Sequence, residues 1–267
     1  MKTRAITGFF FIIIMLGSLL TGPYVFALFY TILGFLCLIE FYKLIRKTGF
    51  KPNLTIGGLI GGLSLCYYAY GCVYGFGRTN FSILPILICL VFILQLYYRS
   101  KQPFTDIAYT FLGVIYTVLP FICFFSIAFI SGEYNSHLAL GFFLMLWSSD
   151  TGAYLFGVKF GKSKLFERHS PKKSWEGFLG GVFTSVLTAI IISQYYFEYD
   201  MIHWIVMALI ISCFGTMGDL VESMFKRSIN VKDSGNILPG HGGVLDRFDG
   251  LLISAPIVYV YLYLISY

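Results

Sequence analysis

Charge is what this chain has least of. Lysine, arginine, aspartate and glutamate make up 12% of the 267 residues, while 57% are hydrophobic and the mean hydropathy is +0.78. Ordinary soluble domains carry roughly 25% charged residues. A soluble fold of this length has nowhere to bury so much apolar surface, so an integral membrane protein is expected. The formal charge of +6 then calls for no nucleic acid, because basic residues collect in the cytoplasmic loops of membrane proteins. Paired cysteines are also missing. Cys37, Cys66, Cys72, Cys89, Cys123 and Cys213 all fall in apolar stretches. None makes a C-x-x-C pair or adjoins a histidine cluster, so they read as small buried hydrophobes. No low-complexity tract, convincing repeat or soluble domain interrupts the chain. No A-x-A-like cleavage site follows the first apolar run, which is read as an uncleaved helix.

What is present is a series of apolar segments, each near the ~20 residues that span a bilayer. They run over about 5–22, 24–42, 54–74, 81–98, 107–130, 138–157, 177–196, 202–225 and 250–267. Pro120 predicts a kink in the fifth. Of the 19 lysines and arginines, 18 fall at the N-terminus or in alternate loops, and only Arg78 lies on the other side. The positive-inside rule therefore predicts an all-α, polytopic membrane protein of about nine spans with a cytoplasmic N-terminus. Residues 1–130 carry no motif in this reading. Residues 131–267 form the catalytic half, with cytoplasmic loops at 158–176 and 226–249.

Polar residues gather in that second half. Asp150, in Trp147-Ser-Ser-Asp-Thr-Gly-Ala-Tyr154, lies about 18 Å along the sixth span. It reads either as a structural carboxylate or as the lining of a ligand or ion cavity. Asp219, Glu222, Ser223 and Lys226 are spaced i, i+3, i+4 and i+7, which puts them on one helix face. A charged helix end with a Glu222–Lys226 pair is the plainer alternative. The stretch from Ser223 to Asp249 holds four basic residues, three acids, four glycines and His241. Pro239 and the nearby glycines exclude a helix there. Basic groups, open backbone and aspartates suit a metal-bound, phosphate-rich ligand. His241 reads equally as a donor or acid and as a backbone-bonded histidine. The basic stretch Ser170-Pro-Lys-Lys-Ser-Trp-Glu-Gly177 suits either lipid headgroups in general or substrate phosphates. In it, Ser174 is an N-cap for the seventh span with Gly177 at N3.

The run Ser223-x-Phe-Lys-Arg-x4-Lys-Asp-Ser-Gly-x2-Leu-Pro-Gly-His-Gly-Gly-x2-Asp-Arg-x-Asp249 resembles the signature of phosphatidate cytidylyltransferases, the CDP-diacylglycerol synthases, without departure. The stretches around Asp150 and Lys172 are similar to family features as well. The resemblance implies that CTP and phosphatidic acid give CDP-diacylglycerol and pyrophosphate with Mg²⁺, in phospholipid biosynthesis. The nucleophile needs no strong base, since a phosphomonoester is largely dianionic near pH 7.

Roles follow as expectations. Asp219 and Asp246 hold the metal, with Asp249 and Asp150 as further ligands or neighbours. Lys226, Arg227, Lys232 and Arg247 neutralise the CTP phosphates and the leaving pyrophosphate. Gly240, Gly242 and Gly243 offer backbone N–H donors, while His241 and Ser223 complete the site. Lys172 and Lys173 hold the lipid phosphate. Expected partners are CTP, phosphatidic acid and membrane lipid, with no nucleic acid; a homodimer is left open. A lipid or polyprenol kinase and an ion-coupled transporter remain as alternatives. Against the transporter, the polar groups crowd one membrane face.

Overall fold

Apolar runs bounded by Gly, Pro and Asn become helices. The computed structural model describes residues 2–75, 83–235, 237 and 242–266. Among these the helices are α1 (Lys2–Leu20), α2 (Pro23–Arg46), α3 (Leu54–Tyr74), α4 (Ile83–Gln95) and α5 (Pro103–Ala128), followed by α6 (Ser136–Phe160), α7 (Trp175–Ser193), α8 (Met201–Ser228) and α9 (Leu245–Ser266). Six are long and apolar enough to cross a membrane, namely α2, α3, α5, α7, α8 and α9. The apolar parts of α1 and α4, Thr7–Leu20 and Pro85–Gln95, are shorter. In α6, 25 residues long, the polar run Trp147–Gly152 dilutes the apolar content. The chain is thus a multi-pass, helical membrane protein.

Two expectations need adjustment. Where a kink was expected at Pro120, α5 carries a π-turn over Val114–Val118, ending two residues before the proline. Such turns absorb a break in the i→i−4 ladder. The all-α reading also misses a hairpin in the loop after α6. Strand β1 (Lys164–Phe166) pairs antiparallel with β2 (Ser170–Ser174), in register Lys164 to Ser174 and Phe166 to Ser170.

The chain divides into two compact units. The first is Met1–Tyr134 with Asp233–Arg247. Its core is aromatic, with Phe26, Tyr30, Phe124 and Phe125 fully buried and their rings in contact. Its polar ends are tied by side chains. Asn53 caps α3 by accepting from Ile56 N at 3.1 Å. Buried Asp106 accepts from Lys51 N at 2.6 Å, and Tyr42 Oη donates to Thr110 O at 2.6 Å. The loop Asp233–Arg247 packs with this unit, although its sequence position lies beyond residue 131.

The second unit is Asn135–Lys232 with Phe248–Tyr267. Asn135 caps α6 by accepting from His137 N at 2.8 Å. As expected, Ser174 caps α7 by accepting from Gly177 N at 3.1 Å. Glu176, in the first turn of α7, accepts from Lys162 N and Ser163 N at 3.1 Å, which ties down the start of the hairpin. Helices α6 and α7 lie close together. Thr184 Oγ1 donates to Ser148 O at 2.8 Å and Ser185 Oγ to Met145 O at 3.1 Å. Hydroxyls and small residues of this kind let helices associate in a membrane, where apolar contact alone gives no preference. The seam fixes the segment that carries Asp150.

Candidate active site

In the second unit, helix periodicity and one glycine bring three acids together. Asp219 and Glu222 are three residues apart on α8, and Asp249 comes from the first turns of α9. Their ligand-capable oxygens lie within 4.8 Å of one another. The approach depends on Gly218. A Cβ there would collide with the Asp249 carbonyl oxygen and lie 3.1 Å from Gly250 Cα. The missing side chain lets the two backbones, and so the two carboxylates, meet.

Three like charges need compensation. Lys173, from β2, places its ammonium 2.6 Å from Asp219 Oδ2 and 3.5 Å from Thr216 O. Successive strand residues point to opposite faces, so Lys172 is exposed instead. Lys226 pairs with the buried Glu222 at 2.6 Å, one turn along α8. Ser223 Oγ donates to Asp219 Oδ1 at 3.2 Å, and Asp249 Oδ1 accepts from Gly250 N at 2.7 Å. Asp150 is exposed and lies outside the tight group. Its charge still interacts with Lys173, Asp219 and Asp249. Arg227 and Lys232 are exposed.

This donor set fits Mg²⁺. The ion takes hard oxygen ligands in an octahedron, with ligand oxygens roughly 3–4 Å apart. Three carboxylates within 4.8 Å need only a small contraction. Two lysines already stand against two of them, where positive charge is wanted. Glu222 joins Asp219 and Asp249 here, although the sequence reading assigned it no metal role. Its i+3 spacing from Asp219 was the available signal.

In the first unit, the two ends of the glycine loop are held by two other carboxylates. Asp246 accepts from Ser234 N, at 3.1 Å to Oδ1 and 2.9 Å to Oδ2, and from Gly243 N at 2.9 Å. The Gly243 N–H expected to face phosphate is therefore donated to Asp246. Gly242 has φ +85°, the left-handed region, and a Cβ there would lie 2.6 Å from Asp246 Oδ2. Arg247 is exposed at the base of the loop. Gly240 and His241 lie outside the described residues.

The second carboxylate is Glu40, on α2, in the region read as carrying no motif. It is 2% exposed. Its Oε1 accepts from Val244 N at 3.0 Å; its Oε2 accepts from Leu245 N at 2.8 Å and Ser234 Oγ at 3.1 Å. Hydrogen bonds to a charged group contribute about 1.5–3 kcal/mol each, which makes this buried ion tolerable. The one sequence signal was an ionisable residue within an apolar helix.

A multi-pass helical membrane protein with clustered carboxylates, lysines set against them and a glycine loop closed by further acids is the class these features define. The chain belongs to the cytidylyltransferase family, whose model matches residues 2–265. Proteins named phosphatidate cytidylyltransferase are similar along almost the whole length. Those of Staphylococcus aureus (strain COL) and Staphylococcus epidermidis (strain ATCC 35984) are 36% identical, and that of Staphylococcus saprophyticus (strain ATCC 15305) 34%. Each match covers 98% of this chain and 99% of the relative.

Proposed function

We propose that this chain transfers the cytidylyl group of CTP to phosphatidic acid, releasing pyrophosphate and forming CDP-diacylglycerol for phospholipid synthesis. Family membership and the relatives' names support this reaction. The observation that carries the site is the group Asp219, Glu222 and Asp249 with Lys173 and Lys226 set against it.

A phosphate oxygen of the lipid attacks the α-phosphorus in line. One P–O bond forms, and the bond to the leaving pyrophosphate breaks. Catalysis then consists mainly of positioning and charge neutralisation. Asp219, Glu222 and Asp249 would hold Mg²⁺, with Asp150 as an outer charge. Asp246 keeps the metal role proposed from its motif, alongside the loop contacts it makes. A bound Mg²⁺ supplies Lewis-acid neutralisation of phosphate charge. Lys226, Arg227, Lys232 and Arg247 attract the triphosphate and the leaving group. Lys173 orients Asp219, and Lys172, exposed on the hairpin, meets the lipid phosphate.

The same proposal includes nine crossings, a cytoplasmic N-terminus and a site on the cytoplasmic face, where CTP is found. The alternation of basic residues supports it.

Incubation of the purified protein with phosphatidic acid, Mg²⁺ and CTP labelled at the α- or γ-phosphorus tests the reaction. The α label is expected in a lipid that is CDP-diacylglycerol. Transfer of the γ label alone would identify a kinase, and no lipid product would end the proposal.

A further inference from the structure

We propose that Glu40 is a positioning residue for CTP. By holding Ser234, Val244 and Leu245 it fixes the two ends of the glycine loop. This rests on the reading of the chain as a CTP-dependent transferase.

Glu40 grips both ends of the loop. Ser234 lies at its entry, while Val244 and Leu245 lie at its exit, where α9 begins. The two backbone N–H groups at that exit have no partner within α9, because the first turn of any helix leaves its donors open. Glu40 caps them from another helix, one carboxylate oxygen to each. The negative charge also sits at the positive end of the α9 dipole. Asp246 ties the same two ends from the other direction, through Ser234 N and Gly243 N. Ser234 is shared, since its N–H goes to Asp246 and its hydroxyl to Glu40.

The loop's glycines fit around this carboxylate. A Cβ on Gly235 would lie 2.6 Å from Glu40 Oε1, and one on Gly243 would collide with Oε2. These two glycines leave room for Glu40, in addition to any service to a phosphate. The loop also carries Gly242 and leads directly into Arg247, both assigned to the CTP phosphates. Glu40 itself, 2% exposed and fully engaged, touches no substrate. It acts by fixing the backbone next to Gly242 and Arg247, and holding those residues in place lowers the ordering cost of nucleotide binding.

The test is steady-state kinetics of the full-length protein in nanodiscs with Glu40→Gln, which keeps the shape but turns an acceptor into a donor facing N–H groups. The KM for CTP should rise about tenfold or more. The KM for phosphatidic acid should stay near wild type even though the melting temperature falls with the lost buried bonds, and Glu40→Asp should recover part of the CTP affinity. Ser234→Ala removes one of the three bonds and should raise the KM for CTP more modestly. It decides the matter if Glu40→Gln fails to fold. An unchanged KM for CTP overturns the inference. So does a parallel rise in the KM values of both substrates. If wild type itself does not use CTP, the proposed function fails first, which distinguishes the two.

Discussion

Lys173 Nζ lies 2.6 Å from Asp219 Oδ2, linking the β-hairpin to helix α8. The two side chains are 26% and 40% exposed. Ion pairs this open contribute at most about 1 kcal/mol to stability, so the pair is expected to matter for chemistry more than for folding. Lys173→Met should lower kcat/KM by about tenfold or more while the melting temperature stays within a few degrees. Activity within about threefold of wild type would remove Lys173 from the site.

The acids should be far less replaceable. Asp219→Asn, Asp249→Asn and Asp246→Asn are each expected to cut turnover by 10²-fold or more, on the order of 2.7 kcal/mol of transition-state stabilisation. Mg²⁺ titrations at fixed CTP give a second readout. Asp219→Asn and Asp249→Asn should shift the half-saturating Mg²⁺ concentration upward. Near-normal turnover at saturating Mg²⁺ would clear the residue concerned.

Gly218→Ala tests whether backbone approach builds the acid group. The added methyl would strike the Asp249 carbonyl, and overpacking of this kind costs about 1–3 kcal/mol. Both the melting temperature and turnover should fall. Gly17→Ala is the control. Beyond its own helix backbone and chain neighbours, no atom lies within 4 Å of a Cβ at that position of α1, and activity there should be unchanged.

Orientation can be read with a single thiol in a variant lacking the six native cysteines. Ser163→Cys lies in the exposed loop before the hairpin. It should react with a membrane-impermeant reagent only from the cytoplasmic side. Reaction in intact cells from outside would reverse the topology. A second natural choice, Asn236, lies outside the described residues.

Transfer should be direct. The cysteines sit in apolar helices, and Ser223, whose hydroxyl donates a hydrogen bond to Asp219, has no histidine at a matching helical spacing to activate it. Kinetics should be sequential, with no exchange of labelled pyrophosphate into CTP in the absence of lipid. Exchange together with ping-pong kinetics would reveal a cytidylyl-enzyme intermediate.

The helices were legible as apolar runs, six of them long enough to cross a bilayer, and Ser174 marked the start of α7, whereas the caps Asn53 and Asn135 were not read. The face shared by Asp219, Glu222, Ser223 and Lys226 was legible from the period of 3.6. The hairpin was not, because β1 is only three residues long and carries no turn signal of its own. The separate destinations of Lys172 and Lys173 depend on that hairpin, so they were hidden with it. Asp246 reads as a metal ligand from its motif, and nothing local announces that Ser234 and Gly243 donate to it. Glu40 was least legible of all, because its partners lie 194 to 205 residues further along the chain.

That separation has a consequence during synthesis. Helix α2 is made early, and its glutamate enters an apolar setting without Ser234, Val244 or Leu245 to receive it. At roughly 5–20 residues per second, those partners follow about 10–40 s later. Throughout that interval water or the insertion machinery must stand in for the three donors. The two ends of the loop can be joined through Glu40 only once Leu245 has been delivered, so a nascent chain stalled before Ser234 carries a glutamate with none of its three partners.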